Sequence, residues 1–391
     1  MSSRAALASA HRIVVKVGTH VVTHDGVDLA LGRMMDIIES LARLRRSGHE
    51  MVLVTSGAVG LGMRELGLTE RPRSLGLRQA CAAVGQGHLM GIYTRAFSQL
   101  GVKTAQVLVT QEDLGDRDRA LCIRTTLMRL LELGAVPIIN ENDSVSVREL
   151  MEYQNGQGKG GVFGDNDMLS AIVATALDAD ALIMLTNVPG LLTAPPGSVP
   201  APERIPQLLG VAAVTEAMVQ MQAGPVGKSS GGTGGMVSKL EAARLAIGQG
   251  TAVVIASGDD RRAVEQILNG DDVGTFIAPE SERPARWRRI AVSGKQQGAL
   301  VINEGALRAL NDQKASLLPI GVVGVDGEFE KGDLVEIRDG SGRVHGRGLV
   351  NYDAPACRAL MGRQSDDIVN VLGFTSYDAL ITRDNLVMGS L

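Results

Sequence analysis

Aromatic residues are scarce in this chain: Phe, Trp and Tyr make up 3% of it, and there is a single Trp. The interior therefore has to be built from Val, Ile, Leu, Ala and Met, a supply that suits buried parallel strands covered by helices. Cysteine is rarer still and odd in number: Cys81, Cys122 and Cys357 stand far apart, with no CxxC or Cys/His spacing. That excludes a disulfide framework, gives no metal site, and fits a reduced, cytoplasmic protein. No run approaches the roughly 18 apolar residues of a membrane span, and the start, MSSRAALASAH, lacks the apolar stretch of a signal peptide, so no membrane partner is expected. The formal charge of −4 provides no global field for a polyanion, so any phosphate site must be local. The GxxxxGK[ST] phosphate loop is absent, and no nucleophile elbow marks a serine hydrolase.

What the sequence does contain is alternation. Ile13 to Val17 (IVVKV) is a β-branched run that stops at Gly18-Thr19, which predicts a buried strand entering a tight loop. Leu31, Met34, Met35, Ile38, Leu41 and Ala42 then fall on one helical face, and Gly48 supplies the stop. Further strand-like runs are MVLVT (51–55), AQVLV (105–109), AVPIIN (135–140), ALIMLT (181–186) and AVVIAS (252–257), mostly separated by segments of helical periodicity. The pattern predicts an α/β fold with a mainly parallel sheet sandwiched by helices, which binds ligands beyond the carboxyl ends of its strands. From about Ser281 the texture changes to short glycine-punctuated runs such as GALVIN, DLVEI and GRGLV, as in a compact β barrel. Two domains are thus expected, 1–280 and 281–391, with TAPPGSVPAP (193–202) as a surface loop of the first.

Five stretches could carry chemistry. Lys16 sits in an otherwise apolar strand, where it must either snorkel out or meet an anion. SGAVGLG, from Ser56, follows a strand; it is either a plain turn or a place where backbone amides approach ligand oxygens. NENDSVSV (140–147) and GDNDMLSAIVATAL (164–177) add dense polar groups, and Asp165, Asn166 and Asp167 stand just before a helix. An N-cap accounts for one of those three, not for all. The glycine-rich GKSSGGTGGMVSKL runs into an amphipathic helix, with Lys239 about one turn in, near the positive end of the dipole.

Taken in order, VVKVGT, VLVTSGAVGLG, AAVGQG, PIINENDSVSV, GDNDMLSA, LTNVPGL and GTGGMVSKL closely resemble the motifs of the glutamate 5-kinases, a branch of the amino acid kinase family. The tail with SLLPIGVVGVDGEFEKGDLVEI resembles the PUA domain that many of them append, so the resemblance covers nearly the whole chain. It implies a three-layer αβα sandwich plus a small β-barrel-like PUA domain. It also implies ATP as donor with Mg²⁺ on its phosphates, and L-glutamate as acceptor. The product would be L-glutamyl 5-phosphate, the start of proline synthesis, made by a homo-oligomer that proline inhibits. Carried over by motif, Lys16 and Lys239 contact the transferring phosphoryl group and Asp165 orients both lysines. Gly57 offers its backbone N–H to the phosphates, while Ser56, Asp143 and Asn166 hold glutamate. Thr186, Asn187 and the loop of Thr233, Gly234, Gly235, Met236, Val237, Ser238 and Lys239 hold the nucleotide, together with Lys16.

The chemistry is consistent with that allocation. A glutamate side chain, with an ordinary pKa near 4.3, is already an anionic nucleophile at neutral pH, so no general base is required. The obstacle is repulsion between two anions, which lysines, a metal ion and amides offset. Asp143 would repel the substrate unless it paired with an α-ammonium, which favours free glutamate over its N-acetyl form. Two features depart from the family: the long glycine-rich RELMEYQNGQGKGGVF (148–163), expected to act as a lid, and Asn187 where Asp is common. A same-fold rival would phosphorylate aspartate, carbamate, N-acetylglutamate or a nucleotide. A rival of another class would bind RNA through the tail, where Trp287 stands among Arg283, Arg286, Arg288 and Arg289. Ser281 to Leu391, however, holds 14 Lys/Arg against 14 Asp/Glu, which is no basic footprint, and no nucleic acid partner is expected.

Overall fold

The β-branched run at the start of the chain becomes the middle of a sheet. In this computed structural model, which describes residues 3–24, 28–70, 72–145, 166–223, 235–279, 298–312, 315–373 and 377–388, the chain divides into two units, Met1–Glu282 and Arg283–Leu391. Besides a two-stranded ladder of Thr23–His24 and Asp28–Leu29, the described residues of the first form a sheet of eight strands: β1 (Arg12–Val17), β2 (Glu50–Val54), β3 (Thr104–Val109), β4 (Val136–Glu141), β5 (Ala181–Thr186), β6 (Gln207–Leu209), β7 (Ala252–Ser257) and β8 (Thr275–Ala278). They lie in the order β3-β4-β2-β1-β5-β7-β8-β6. All neighbours are parallel except β7 and β8. β6 and β8 went unread in the sequence because QLL and TFIA are too short to show a period.

The longer helices among the described residues of this unit are α1 (Leu31–Arg46), α2 (Ala58–Glu65), α3 (Leu75–Gln99), α4 (Arg117–Glu132), α5 (Asn166–Ala176), α6 (Gly210–Ala223), α7 (Met236–Gly248) and α8 (Ala263–Asn269). They cover both faces of the sheet, giving a three-layer αβα arrangement. Successive strand residues point to opposite faces. Ile13, Val15 and Val17 pack into one core with Ile38, Leu41 and Phe97. Val14 packs into the other, with Leu169, Ala171, Leu240 and Ala243. Lys16, two residues after Val14, must therefore face the side covered by α5 and α7. This parity sends a lysine into the interior instead of out to water.

The second unit is a five-stranded sheet of β9 (Gly298–Ile302), β10 (Val322–Gly327), β11 (Leu334–Arg338), β12 (Val344–Leu349) and β13 (Leu386–Met388), in the order β10-β9-β11-β12-β13. β9 and β11 pair parallel and the rest antiparallel. Its own core gathers Leu300, Ile302, Val335, Ile337, Cys357, Leu360 and Ile381. The Trp/Arg run at 283–289 lies outside the described residues. Among the described residues no helix is long and apolar enough to cross a membrane.

Candidate active site

The parallel strands deliver their carboxyl ends to one edge, and the described candidates collect there or in the first helical turns beside it. Lys16 is the fifth residue of β1, opposite Val54 and Met184. A Cβ built on Gly18 would stand 3.5 Å from Lys16 Nζ, so the ammonium curls toward the turn that ends the strand. Asn166 and Asp167 open α5, and Lys239 is the fourth residue of α7, whose N-cap is Gly235.

Asp167 joins the two lysines. Its side chain is 0% exposed; Lys16 Nζ lies 2.6 Å from Oδ1 and Lys239 Nζ 3.0 Å from Oδ2. Ser238 also donates to Oδ2 at 3.0 Å, and the Ser170 hydroxyl donates to the Asp167 carbonyl at 2.6 Å. Lys16 and Lys239 are only 2% and 6% exposed. Burying one such ion alone costs several kcal/mol, so the carboxylate between the lysines is what makes their burial tolerable. By themselves the three side chains carry one net positive charge, in a place that water barely reaches. Among the described residues the carboxylate that meets both lysines is that of Asp167; Asp165, to which the resemblance gave the orienting of the lysines, lies outside them. The signal was present in the sequence as a third polar residue that no cap explained.

A second network fixes the loop after β2. Asn166 Nδ2 donates to the Thr55 carbonyl at 2.7 Å, to Ser56 Oγ at 3.0 Å and to Asn140 Oδ1 at 2.9 Å. Asn140 in turn donates to Gln86 Oε1 at 2.8 Å. Gly57 has φ 100°, the left-handed region, and caps α2. Glycine adopts that conformation without a Cβ clash, which aims the start of α2 at the same edge. Beneath it, Thr55 Oγ1 and Tyr93 OH are 2.9 Å apart. Burial pushes the Tyr93 phenol up to about 12, against a smaller lowering by the Thr55 hydrogen bond. Asp143 follows β4 and, with Ala58, Gln86, Glu141, Asn142 and Ser144, lines a cavity of about 280 Å³.

The nucleotide candidates are only partly described. Thr186 and Asn187 stand at the end of β5, where Thr186 Oγ1 donates to Asn187 Oδ1 at 3.3 Å and the Gly258 amide donates to the Thr186 carbonyl at 2.7 Å. Gly235 caps α7 and Met236, Val237 and Ser238 begin its first turn, while Thr233, Gly234 and the expected lid at 148–163 lie outside the described residues. His20 and His24 stand four residues apart, a spacing that metal ligands use, but the His24 ring meets Arg33 at 3.1 Å through Nδ1, and Arg33 also donates to the His20 backbone carbonyl at 2.9 Å. Among the described residues no three His, Cys, Asp or Glu side chains are placed to hold a metal ion. Asn140, Gln86 and Tyr93 were not singled out from sequence, although the first two lie inside motifs quoted above.

Comparison with known proteins agrees with this geometry. Residues 11–257 match the amino acid kinase family and residues 298–372 the PUA domain. The chain is 44% identical over 386 residues to a glutamate 5-kinase of Moorella thermoacetica, covering 98% of each chain. It is 42% identical over 389 residues to one of Methylococcus capsulatus, covering 99% of this chain and all (100%) of that one. A third, from Gloeobacter violaceus, is 44% identical over 380 residues, 96% of this chain and 98% of its own. With a parallel sheet between helices, two lysines on one buried aspartate at its carboxyl edge, and these matches, the chain belongs to the amino acid kinase family and carries a PUA domain after its kinase unit.

Proposed function

We propose that this protein transfers the γ-phosphoryl group of ATP to the side-chain carboxylate of free L-glutamate, giving ADP and L-glutamyl 5-phosphate, the first step of proline synthesis. The observation that carries this reading is the meeting of Lys16 and Lys239 on the two oxygens of Asp167. A carboxylate oxygen attacks the γ-phosphorus, the bond to the β-phosphate oxygen breaks, and both electron pairs move without any proton transfer. Lys16 and Lys239 offset the charge on the transferring group, Asp167 holds them at the right separation, and the Gly57 N–H donates to a phosphate oxygen. Ser56 and Asn166 hold the reacting end of glutamate and Asp143 takes its α-ammonium. Thr186, Asn187 and the residues leading into α7 hold the nucleotide.

A magnesium ion would come with the nucleotide, bound to its phosphates, beside the carboxylate of Asp167 and the two lysines that it holds. When bound, the ion supplies neutralisation of phosphate charge. The same reading makes the enzyme a cytoplasmic homo-oligomer. It also makes proline an inhibitor, because proline shares the α-carboxylate and α-nitrogen of glutamate and competes for the groups that read them. The test is ADP release from ATP and Mg²⁺ with glutamate, aspartate, N-acetylglutamate, carbamate or a nucleoside monophosphate, each with and without proline. Glutamate should be the preferred acceptor and proline should raise its KM; preference for any other acceptor overturns the reading.

A further inference from the structure

One buried donor has no part in the chemistry above. Gln86, on α3, is 9% exposed, and among the described residues its Nε2 has no hydrogen-bond partner. A buried amide N–H left unsatisfied is costly, so its persistence asks for a use. Which end of the amide is orphaned follows from the neighbours. The Glu141 backbone N–H can only donate, and it points at Asn140 Oδ1 from 2.9 Å. Asn140 therefore presents its Nδ2 to Gln86, which must answer with Oε1. The Thr55 carbonyl can only accept, so Asn166 faces it with Nδ2 and leaves Oδ1 buried without a partner among the described residues. One run of amides thus ends in an unspent donor at Gln86, the kind of group that a carboxylate would meet.

Gln86 also lines the cavity of about 280 Å³, together with the carboxylates Glu141 and Asp143; none of the described lining residues is Lys, Arg or His. An ammonium is well received there, while a second carboxylate finds only neutral donors. Gln106, another amide on the lining, is exposed. We infer that Gln86 is a specificity-determining residue: its Nε2–H donates to the substrate's α-carboxylate, and the Asn140 relay holds the amide the right way round. The inference rests on the glutamate-kinase reading.

The experiment compares glutamate with its α-carboxamide in the wild type, Gln86→Glu and Gln86→Met. Glu keeps an acceptor for Asn140 but turns the donor into an acceptor. The kcat/KM for glutamate should then fall about tenfold to a hundredfold through KM, with KM for ATP unmoved, as expected for loss of a hydrogen bond to a charged group. The α-carboxamide, which can donate to the new carboxylate, should gain on glutamate by about tenfold or more. Gln86→Met, uncharged and of similar length, should narrow the same preference. A purely structural role predicts that both acceptors lose equally in both variants. An unshifted ratio in either variant, with the wild type active on glutamate, overturns the Gln86 assignment alone. A wild type inactive on glutamate removes the kinase reading and this assignment with it.

Discussion

At the scale of single residues, the site depends on one carboxylate that is wholly out of water. Asp167→Asn keeps the volume but removes the charge shared by Lys16 and Lys239. It should lower kcat by about two orders of magnitude or more, read as ADP release at saturating substrates. Asp167→Ala leaves two buried ammonium groups without their carboxylate and should lower the unfolding free energy by about 3–5 kcal/mol, read from urea denaturation. Tyr93 gives a pH signature. Its phenol is held neutral, with the pKa raised from 10.0 to about 12 by burial. The stability it contributes is therefore fully present below pH 10.0 and is lost as pH rises through about 12, because the unfolded chain ionises first. Wild type should lose stability more steeply across that range than Tyr93→Phe; parallel curves would count against it. Residue roles were only partly legible in the sequence. Lys16 stood out as a charge in an apolar strand, but whether Asp165 or Asp167 would meet it depended on how α5 is rotated.

At the scale of elements, the sequence showed strands better than helices. IVVKV, MVLVT and ALIMLT are continuous β-branched or aliphatic runs, and all became central strands. The sequence did not delimit α3, and the reason for one glycine on it and one on α2 is tertiary. A Cβ on Gly85 would lie 1.8 Å from the Ala58 carbonyl oxygen, and one on Gly62 1.8 Å from that of Cys81. α2 and α3 therefore touch backbone to backbone, close behind Gly57. Gly85→Ala must push the helices apart; about 1–3 kcal/mol of stability should be lost, with a raised KM for ATP as the loop after β2 shifts. Gly91→Ala is the control: nothing lies within 4 Å of its Cβ, and alanine in a helix interior should be neutral or stabilising by about 0.5–1 kcal/mol. Thermal melts of the two variants should move in opposite directions.

At the scale of the whole molecule, every described site residue belongs to the unit Met1–Glu282, and Arg283–Leu391 has its own sheet and core. A chain ended after Glu282 should therefore keep the ability to phosphorylate glutamate with kcat within about threefold of the full chain, since no described catalytic group is lost. Loss of all activity in a folded truncation would show that the PUA unit completes the site. The sequence by itself determined the alternation of strand and helix, the change of texture near residue 281, and the identity of the polar loops, because periodicity and composition are local properties. Only the tertiary structure decided which loops meet. The parity of β1 turned Lys16 toward α5 and α7, and the first turns of those helices placed Asp167 and Lys239 against it. An amide relay then fixed which atoms of Gln86 and Asn166 stay unspent. These are long-range facts: burial of a charge is tolerable only where a distant part of the chain brings its counter-charge, and no window along the sequence contains both.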